Sequence, residues 1–158
     1  MDCSHIKFCV EKEQVDLQQL KELYDKTTFW ARSRSLEEIE IAITNSNPVV
    51  SVWDKDKMIG CGRATSDGIY RAGIWDVVVD PDYQGFGLGR KLVETLISHP
   101  LLNRVERIYL TTTHQQNFYK KIGFKENSTT TMVLFNNYPI NDDLVKRQEV
   151  QEDAQVTP

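Results

Sequence analysis

Cysteines are few in this sequence of 158 residues, and their positions do not suit a metal site or a disulfide framework. Cys3, Cys9 and Cys61 are an odd number, and no two of them form a CxxC motif. Structural zinc sites and small disulfide-rich domains both need cysteines in closely spaced pairs. We therefore predict reduced thiols in a cytoplasmic compartment and no bound metal.

Long apolar runs and an excess of positive charge are missing too. No stretch is long and apolar enough to predict a membrane span, and no secretory signal is recognised near Met1. The net charge is −4, and because two basic and five acidic residues lie beyond position 136, the rest of the chain is nearly neutral. Proteins that bind nucleic acid usually carry a basic face. We therefore expect neither nucleic acid nor a membrane as a partner.

The apolar patterns that are present predict one mixed α/β domain, in the order β-α-α-β-β-β-α-β-α-β. Antiparallel hairpins come first, and one right-handed βαβ crossover follows. The predicted strands are 6–10, 49–53, 58–66, 74–79, 105–113 and a final hairpin of 124–125 with 129–135. The predicted helices are 16–26, one that begins at Ser35, one that follows Gly89, and 115–122. We place the domain at 1–136 and interpret 137–158 as an acidic, flexible tail in which a short helix fits 142–150.

A glycine-rich segment separates the apolar run 74–79 from the helix that follows it. Pro81 ends the strand, and Gln84 then precedes glycines at 85, 87 and 89. Glycines expose backbone N–H groups with no Cβ in front of them, and the first turn of a helix favours an anion. The segment therefore predicts a loop that binds phosphate.

Three kinds of phosphate loop contain such glycines. A P-loop needs a lysine and a hydroxyl residue after its last glycine, and neither follows Gly89. A dinucleotide loop needs G-x-G-x-x-G directly after a strand and an acidic residue at the end of the next strand, whereas Glu106 lies at the beginning of that strand. The third pattern, Q/R-x-x-G-x-G/A, fits from Gln84 to Gly89 at every required position.

The segment VVVDPDYQGFGLGRKLV at 77–93 resembles the acetyl-CoA motif of the GNAT superfamily of N-acetyltransferases. A second segment, FYKKIGF at 118–124, is similar to the family's Y-x-x-x-G-F block, and the resemblance runs from about residue 6 to residue 135. RATSD at 63–67 and the text from Ile74 resemble most the plastid and cyanobacterial branch, which includes plant-type serotonin N-acetyltransferases that also modify protein amines. The resemblance implies the GNAT fold, acetyl-CoA as the acetyl donor, and the plastid stroma as the location if the protein is organellar.

The resemblance also implies where the donor binds. Backbone amides of the loop bind the pyrophosphate, the pantetheine arm pairs with the strand before the loop, and one strand amide polarises the thioester carbonyl. This strand and the next one splay apart in the family. The implied cofactor-binding residues are Val77, Val78, Val79, Gln84, Gly85, Phe86, Gly87, Leu88, Gly89, Arg90, Asn117 and Tyr119.

Acetyl transfer to an amine also needs a proton acceptor and a proton donor. Asp76 is the one ionisable residue in the apolar run and is our candidate base, directly or through water; a hydrogen-bonded structural aspartate is the alternative. Tyr119 matches the family's tyrosine that protonates the departing thiolate. The family often has Asn, and this branch often Asp, where this sequence has Thr112. Three alternatives follow: Asp76 carries the proton alone through water, the rate is low, or His114 serves as the base instead.

The acceptor is the part that the sequence determines least. We expect a small-molecule arylalkylamine such as serotonin or tryptamine, bound by aromatic side chains among Phe29, Trp30, Tyr70 and Trp75, although these also suit a core. A lysine side chain or N-terminal amine of a protein is the alternative acceptor. A regulatory module that binds acetyl-CoA without catalysis is the non-enzymatic alternative, and the protein is expected to be a monomer or a homodimer.

Overall fold

The computed structural model describes residues 3–136 and has the predicted mixed α/β fold. Its five strands form one sheet in the order β1-β2-β3-β4-β5, antiparallel from β1 to β4 and parallel between β4 and β5. The elements are β1 Lys7–Cys9, α1 Leu17–Thr27, α2 Leu36–Thr44, β2 Val49–Asp54, β3 Lys57–Ser66, β4 Arg71–Val79, α3 Leu88–Ser98, β5 Arg107–Tyr109 and α4 Gln116–Lys120.

Helices cover both faces of the sheet. On one face, α1 and α2 pack against β2, β3 and β4 through a buried cluster that includes Leu20, Tyr24, Ile39, Cys61 and Val78. On the other face, α3 packs through a second cluster that includes Val50, Ile59, Ile74, Leu92 and Leu96. The alternation of side chains along each strand therefore divides the core into two layers, with the sheet between them.

The helices begin where the sequence indicates. Ser35 and Glu38 form a capping box at the start of α2, in which each side chain bonds the other residue's backbone N–H. Asp16 caps α1 by accepting a hydrogen bond from the backbone N–H of Gln19. Both caps are local in sequence, which is why a motif alone could predict them.

Close packing of α3 on the sheet depends on Gly62 of β3. A Cβ built at this position would lie 2.7 Å from Cδ2 of Leu92, so any larger residue would push α3 away from β3. This contact matters for function because α3 begins directly after the glycine-rich segment.

Two sequence-based predictions differ from the structure. Strand β5 is three residues long, not 105–113, because its pairing with β4 stops after Tyr109. The final hairpin is wrong, since residues 126–136 contain neither helix nor strand. A β-rich pattern forms a strand only where a neighbouring strand pairs with it.

Contacts within the chain group Met1–Lys125 as one unit and separate it from the residues that follow. The predicted tail and the helix at 142–150 lie outside the described residues, so the domain boundary at 136 stays a prediction. Within residues 3–136, no helix is long and apolar enough to cross a membrane.

Candidate active site

A gap opens between β4 and the edge strand β5. Their parallel pairing runs from Arg71 with Arg107 to Gly73 with Tyr109 and ends there. Along residues 74–79, no described strand lies beside β4 on the β5 side. Backbone groups on this edge are therefore available to pair with an extended ligand, as an added strand would.

A β-bulge lies within this free stretch of β4. The β3–β4 register shifts so that Asp76 and Val77 together oppose Gly62, and Asp76 has a left-handed backbone with φ of 54°. A bulge re-aims the side chain of its extra residue. As a result, Asp76 contacts Arg63, the β3 residue that is paired with Trp75.

Asp76, Arg34 and Arg63 form a cluster that we call the arginine cluster. Oδ2 of Asp76 accepts a hydrogen bond of 2.8 Å from Nη1 of Arg34 and another of 2.8 Å from Nε of Arg63. The Asp76 side chain is only 9% exposed. Arg34 also stacks 5.0 Å above the ring of Trp30, and Arg63 donates to Oγ of Ser46. The guanidinium groups thus occupy Oδ2 of the candidate base and leave Oδ1 for any further contact.

Sequence reasoning missed both arginines of this cluster. Arg34 lies 42 positions before Asp76, in the connector between α1 and α2, and nothing local links the two. Arg63 was the available signal, because a charged residue within a strand as apolar as β3 needs a charged partner.

The glycine-rich segment has the conformation that an anion-binding loop requires. Gly85 and Gly87 have φ of 83° and 80°, which other residues adopt only with strain, and Gly87 is the N-cap of α3. A Cβ at either glycine would meet nothing within 4 Å, so the space in front of the loop is open. Backbone N–H groups at the beginning of an eleven-residue helix, facing open space, suit a phosphate.

Side chains of this segment have separate roles. Gln84 donates from Nε2 to the carbonyl oxygen of Val79, which connects the loop to the end of β4. Leu88 is buried in the core, so only its backbone remains for a ligand. Arg90 forms an ion pair of 2.7 Å with Glu94, and Phe86 is exposed.

A second buried carboxylate, Asp80, holds the turn before the loop. Its oxygens contact Nζ of Lys26 at 2.6 Å and Nζ of Lys57 at 2.9 Å, and Oδ1 also accepts from the backbone N–H of Asp82. We call Asp80, Lys26 and Lys57 the lysine clamp. Burial raises the pKa of Asp80, but the two lysine hydrogen bonds outweigh it and hold that pKa at about 2. The carboxylate is therefore ionised at any pH where an acetyltransferase works.

Helix α4 brings Tyr119 to the α3 side of the gap. The Tyr119 ring packs edge-on against Phe118 and Phe124, and both Tyr119 and Val77 pack against the core cluster below α3. Burial raises the pKa of Tyr119, so its phenol keeps its proton at neutral pH and can donate it. This state fits the donor role predicted for it.

The other residues singled out near α4 are on the surface. Oγ1 of Thr112 accepts a hydrogen bond from the backbone N–H of Gln115, which caps the turn before α4. Asn117 is exposed. Gly89 connects α4 to the loop, because a Cβ there would lie 3.6 Å from the ring of Phe118.

The candidate acceptor aromatics divide into two groups. Trp75 lies next to the bulge and is 39% exposed, and Nε1 of its ring donates to Oγ1 of Thr65. Trp30 lies under Arg34 and is half-buried. Tyr70, in the β3–β4 loop, and Phe29 are exposed. The structure therefore brings Trp75 and Trp30 to the bulge.

A known protein family matches most of the chain. Residues 17–124 match the family described as acetyltransferase (GNAT) family. An uncharacterised N-acetyltransferase, ycf52, from Pyropia yezoensis is 35% identical over 77% of this chain and 74% of its own length. Histone acetyltransferase TAP1 from Glycine max is 39% identical over 70% of this chain and 52% of its own length. The chain thus spans about half to three quarters of the lengths of these relatives.

Solved structures share the fold. A putative GNAT acetyltransferase from Xanthomonas campestris superposes with a TM-score of 0.74 and 23% identity, over 86% of this chain and 98% of that one. Glucosamine-6-phosphate N-acetyltransferase from Arabidopsis thaliana gives a TM-score of 0.63 and 20% identity, over 83% of this chain and 99% of that one. At such identities, the similarity supports the fold only.

Proposed function

The chain belongs to the GNAT acetyltransferase family, and from this premise we propose that it transfers the acetyl group of acetyl-CoA to a primary amine, with an arylalkylamine such as serotonin or tryptamine as the acceptor. One observation carries the proposal. The unpaired edge of β4 at residues 74–79 leads, through a turn held by Asp80, into the glycine loop at the start of α3. An edge for an extended arm and a loop for a pyrophosphate therefore lie in succession along the chain.

The cofactor-binding residues proposed from the sequence suit this arrangement. Val77, Val78 and Val79 are proposed to offer backbone groups at the gap, and the loop is open at Gly85 and Gly87, where a Cβ would meet nothing within 4 Å. Asn117 and Tyr119 lie on α4, which is near the loop through Phe118, whose ring would lie 3.6 Å from a Cβ at Gly89. When bound, acetyl-CoA would supply a thioester, whose acetyl carbon would bond to the amine nitrogen as its bond to sulfur breaks. The protonated amine would lose two protons and the leaving thiolate would take up one, so that one proton is released.

Tyr119 and Asp76 have the proton-transfer roles in this proposal. Tyr119 holds its proton at neutral pH and donates it to the leaving sulfur. Asp76 has one oxygen, Oδ1, left to accept the amine proton through water, since Oδ2 receives both guanidinium hydrogen bonds. The bulge at Asp76 and Val77 interrupts the regular β3–β4 hydrogen bonding, and a backbone N–H in this stretch would polarise the thioester carbonyl in this proposal.

Release of the free thiol of coenzyme A tests the proposal. Separate reactions would each contain the protein, acetyl-CoA and one amine, which is serotonin, tryptamine or a lysine peptide. The released thiol would be followed by its reaction with a disulfide dye. We expect amine-dependent thiol release, fastest with an arylalkylamine. If the protein binds acetyl-CoA but releases no thiol from it with any of the amines, the enzymatic proposal would be contradicted and a regulatory module favoured.

A protein amine is the second candidate acceptor, because a relative that is 39% identical is named a histone acetyltransferase. The same assay with a histone-tail peptide separates the two candidates. Faster release with the peptide than with tryptamine would favour the protein acceptor.

The location that we propose follows from other relatives. GCN5-related N-acetyltransferase 2 from Arabidopsis thaliana, which is 37% identical, is named chloroplastic. We therefore propose the plastid stroma, or the cytoplasm in a cyanobacterial cell. A fluorescent fusion of the full-length protein would test this.

A further inference from the structure

The arginine cluster contains more positive than negative charge. Arg34 and Arg63 bring two guanidinium groups, and Asp76 is the one carboxylate that they contact among residues 3–136. Only Nη1 of Arg34 donates to a described side chain, so most of its N–H groups have no acceptor there. The Arg34 side chain is 34% exposed, so a ligand can reach it.

A flat aromatic surface lies beside this charge. The ring of Trp75 covers Gly73 so closely that a Cβ there would lie 2.5 Å from Cζ2, and the hydrogen bond from Nε1 to Thr65 fixes the ring. Trp75 precedes Asp76 in the chain and pairs with Arg63 across the sheet. One side of the bulge thus offers a fixed apolar plane and an incompletely paired guanidinium group.

We propose that the acceptor carries a carboxylate close to its amino group, and that Arg34 binds this carboxylate while the acceptor's ring packs on Trp75. The proposal rests on the acetyl transfer proposed above. Among amines with an aryl ring, it favours those that carry a carboxylate, the aromatic α-amino acids, over serotonin and tryptamine. A guanidinium group pairs with a carboxylate through charge-assisted hydrogen bonds. An amine without a carboxylate would meet the surplus positive charge with nothing to balance it.

Binding of the two acetylated products tests this without turnover. N-acetyl-L-tryptophan and N-acetyltryptamine differ only by the carboxylate, and each would be titrated calorimetrically into the full-length protein saturated with coenzyme A. We expect the carboxylated product to bind about ten- to a hundredfold more tightly, as a charge-assisted pair predicts. Equal affinities, or no measurable binding of N-acetyl-L-tryptophan, would overturn the proposal.

Substitution of Arg34 localises the effect. Arg34→Gln is expected to abolish the preference for the carboxylated product, and Arg34→Lys to restore part of it. Arg32→Gln is the matched control, because Arg32 is exposed, lies in the same connector and changes the net charge equally. A preference that persists in Arg34→Gln, or one that Arg32→Gln also removes, would overturn the role of Arg34. If Arg34→Gln does not fold, Arg34→Lys and the wild-type comparison decide.

Kinetics separate this proposal from the one on which it rests. In the wild type, kcat/KM for L-tryptophan is expected to be about ten or more times that for tryptamine. In Arg34→Gln, the two values are expected to be nearly equal. If acetyl-CoA releases no thiol with either amine, but the binding preference still depends on Arg34, acetyl transfer would be contradicted and the carboxylate site would still be supported. Faster turnover of tryptamine than of L-tryptophan would support acetyl transfer and overturn the carboxylate site.

Discussion

Asp76 lies within the free stretch of β4 and Asp80 directly follows it, and each contacts two cationic side chains. At Asp80, each oxygen contacts a lysine, and Oδ1 also accepts a backbone N–H. At Asp76, both arginines contact the same oxygen, Oδ2. The lysine side chains are about half exposed, at 44% and 52%, whereas the arginine side chains are 34% and 16% exposed.

This difference separates a structural carboxylate from one suited to chemistry. Both oxygens of Asp80 accept hydrogen bonds from the protein, and its two lysines are exposed to water. This carboxylate therefore needs no ligand to balance its charge. Asp76 keeps one oxygen, and Arg34 keeps several N–H groups, at the place where the β4 edge is free. We infer that the lysine clamp holds the loop and that the arginine cluster meets the acceptor.

Removing Asp80 should have the largest effect on stability. Asp80→Ala removes two lysine contacts and the bond to the Asp82 N–H from a side chain that is 3% exposed, and we expect a loss of about 3 kcal/mol in the free energy of unfolding. Urea denaturation of the variant and the wild type measures this. Unchanged stability would contradict the structural role of the clamp.

Asp76→Asn should affect activity more than stability. We expect kcat/KM for the amine to fall about a hundredfold, because the substitution removes both the charge that orients Arg34 and the candidate base. Turnover measured from pH 6 to pH 9, roughly the range where a general base matters, is the assay. Wild-type turnover over this range would exclude Asp76 as the base.

Acid should weaken the protein through Asp80. Because its folded pKa of about 2 lies below the ordinary value of an aspartate, the stability that it contributes is present above pH about 4 and is lost as pH falls towards 2. The expected loss is about 2 kcal/mol over this interval. Urea midpoints of the wild type and of Asp80→Asn at pH 5 and pH 3 would measure it, and a parallel fall in both proteins would assign the loss to other groups.

Tyr119→Phe should have a smaller effect, on rate alone. Burial keeps the phenol protonated, so the variant loses a proton donor but little packing. Because a thiol leaves with little assistance, we expect kcat to fall about tenfold with stability nearly unchanged. A clear loss of stability with kcat unchanged would indicate that Tyr119 is only a core residue.

The smallest expected effect comes from one lysine of the clamp. Lys26→Met should lower the free energy of unfolding far less than Asp80→Ala does, because the Lys26 side chain is 44% exposed and Lys57 still neutralises Asp80. Denaturation in low and high salt would check this. A loss as large as that of Asp80→Ala would mean that the two lysines do not share the role.

Features that depend on neighbouring residues in the sequence could be predicted. The capping box at Ser35, the glycine loop after Gln84 and the order of strands and helices as far as α4 follow from local patterns, whereas the predicted final hairpin was wrong. The arginine cluster could not be predicted, because Arg34 and Asp76 meet only after folding and the bulge leaves no mark in an apolar run. The length of β5 was wrong for the same reason, since pairing with β4 sets it.

The free edge of β4 also has a consequence for how the protein behaves in a cell. An unpaired strand edge is a place where another polypeptide can add by backbone hydrogen bonds, and β-rich chains tend to associate through such edges. A molecule that covers residues 74–79 would block this association and, by binding only the folded state, would raise its stability. The acetyl donor proposed above would then stabilise the folded protein as well as take part in the reaction.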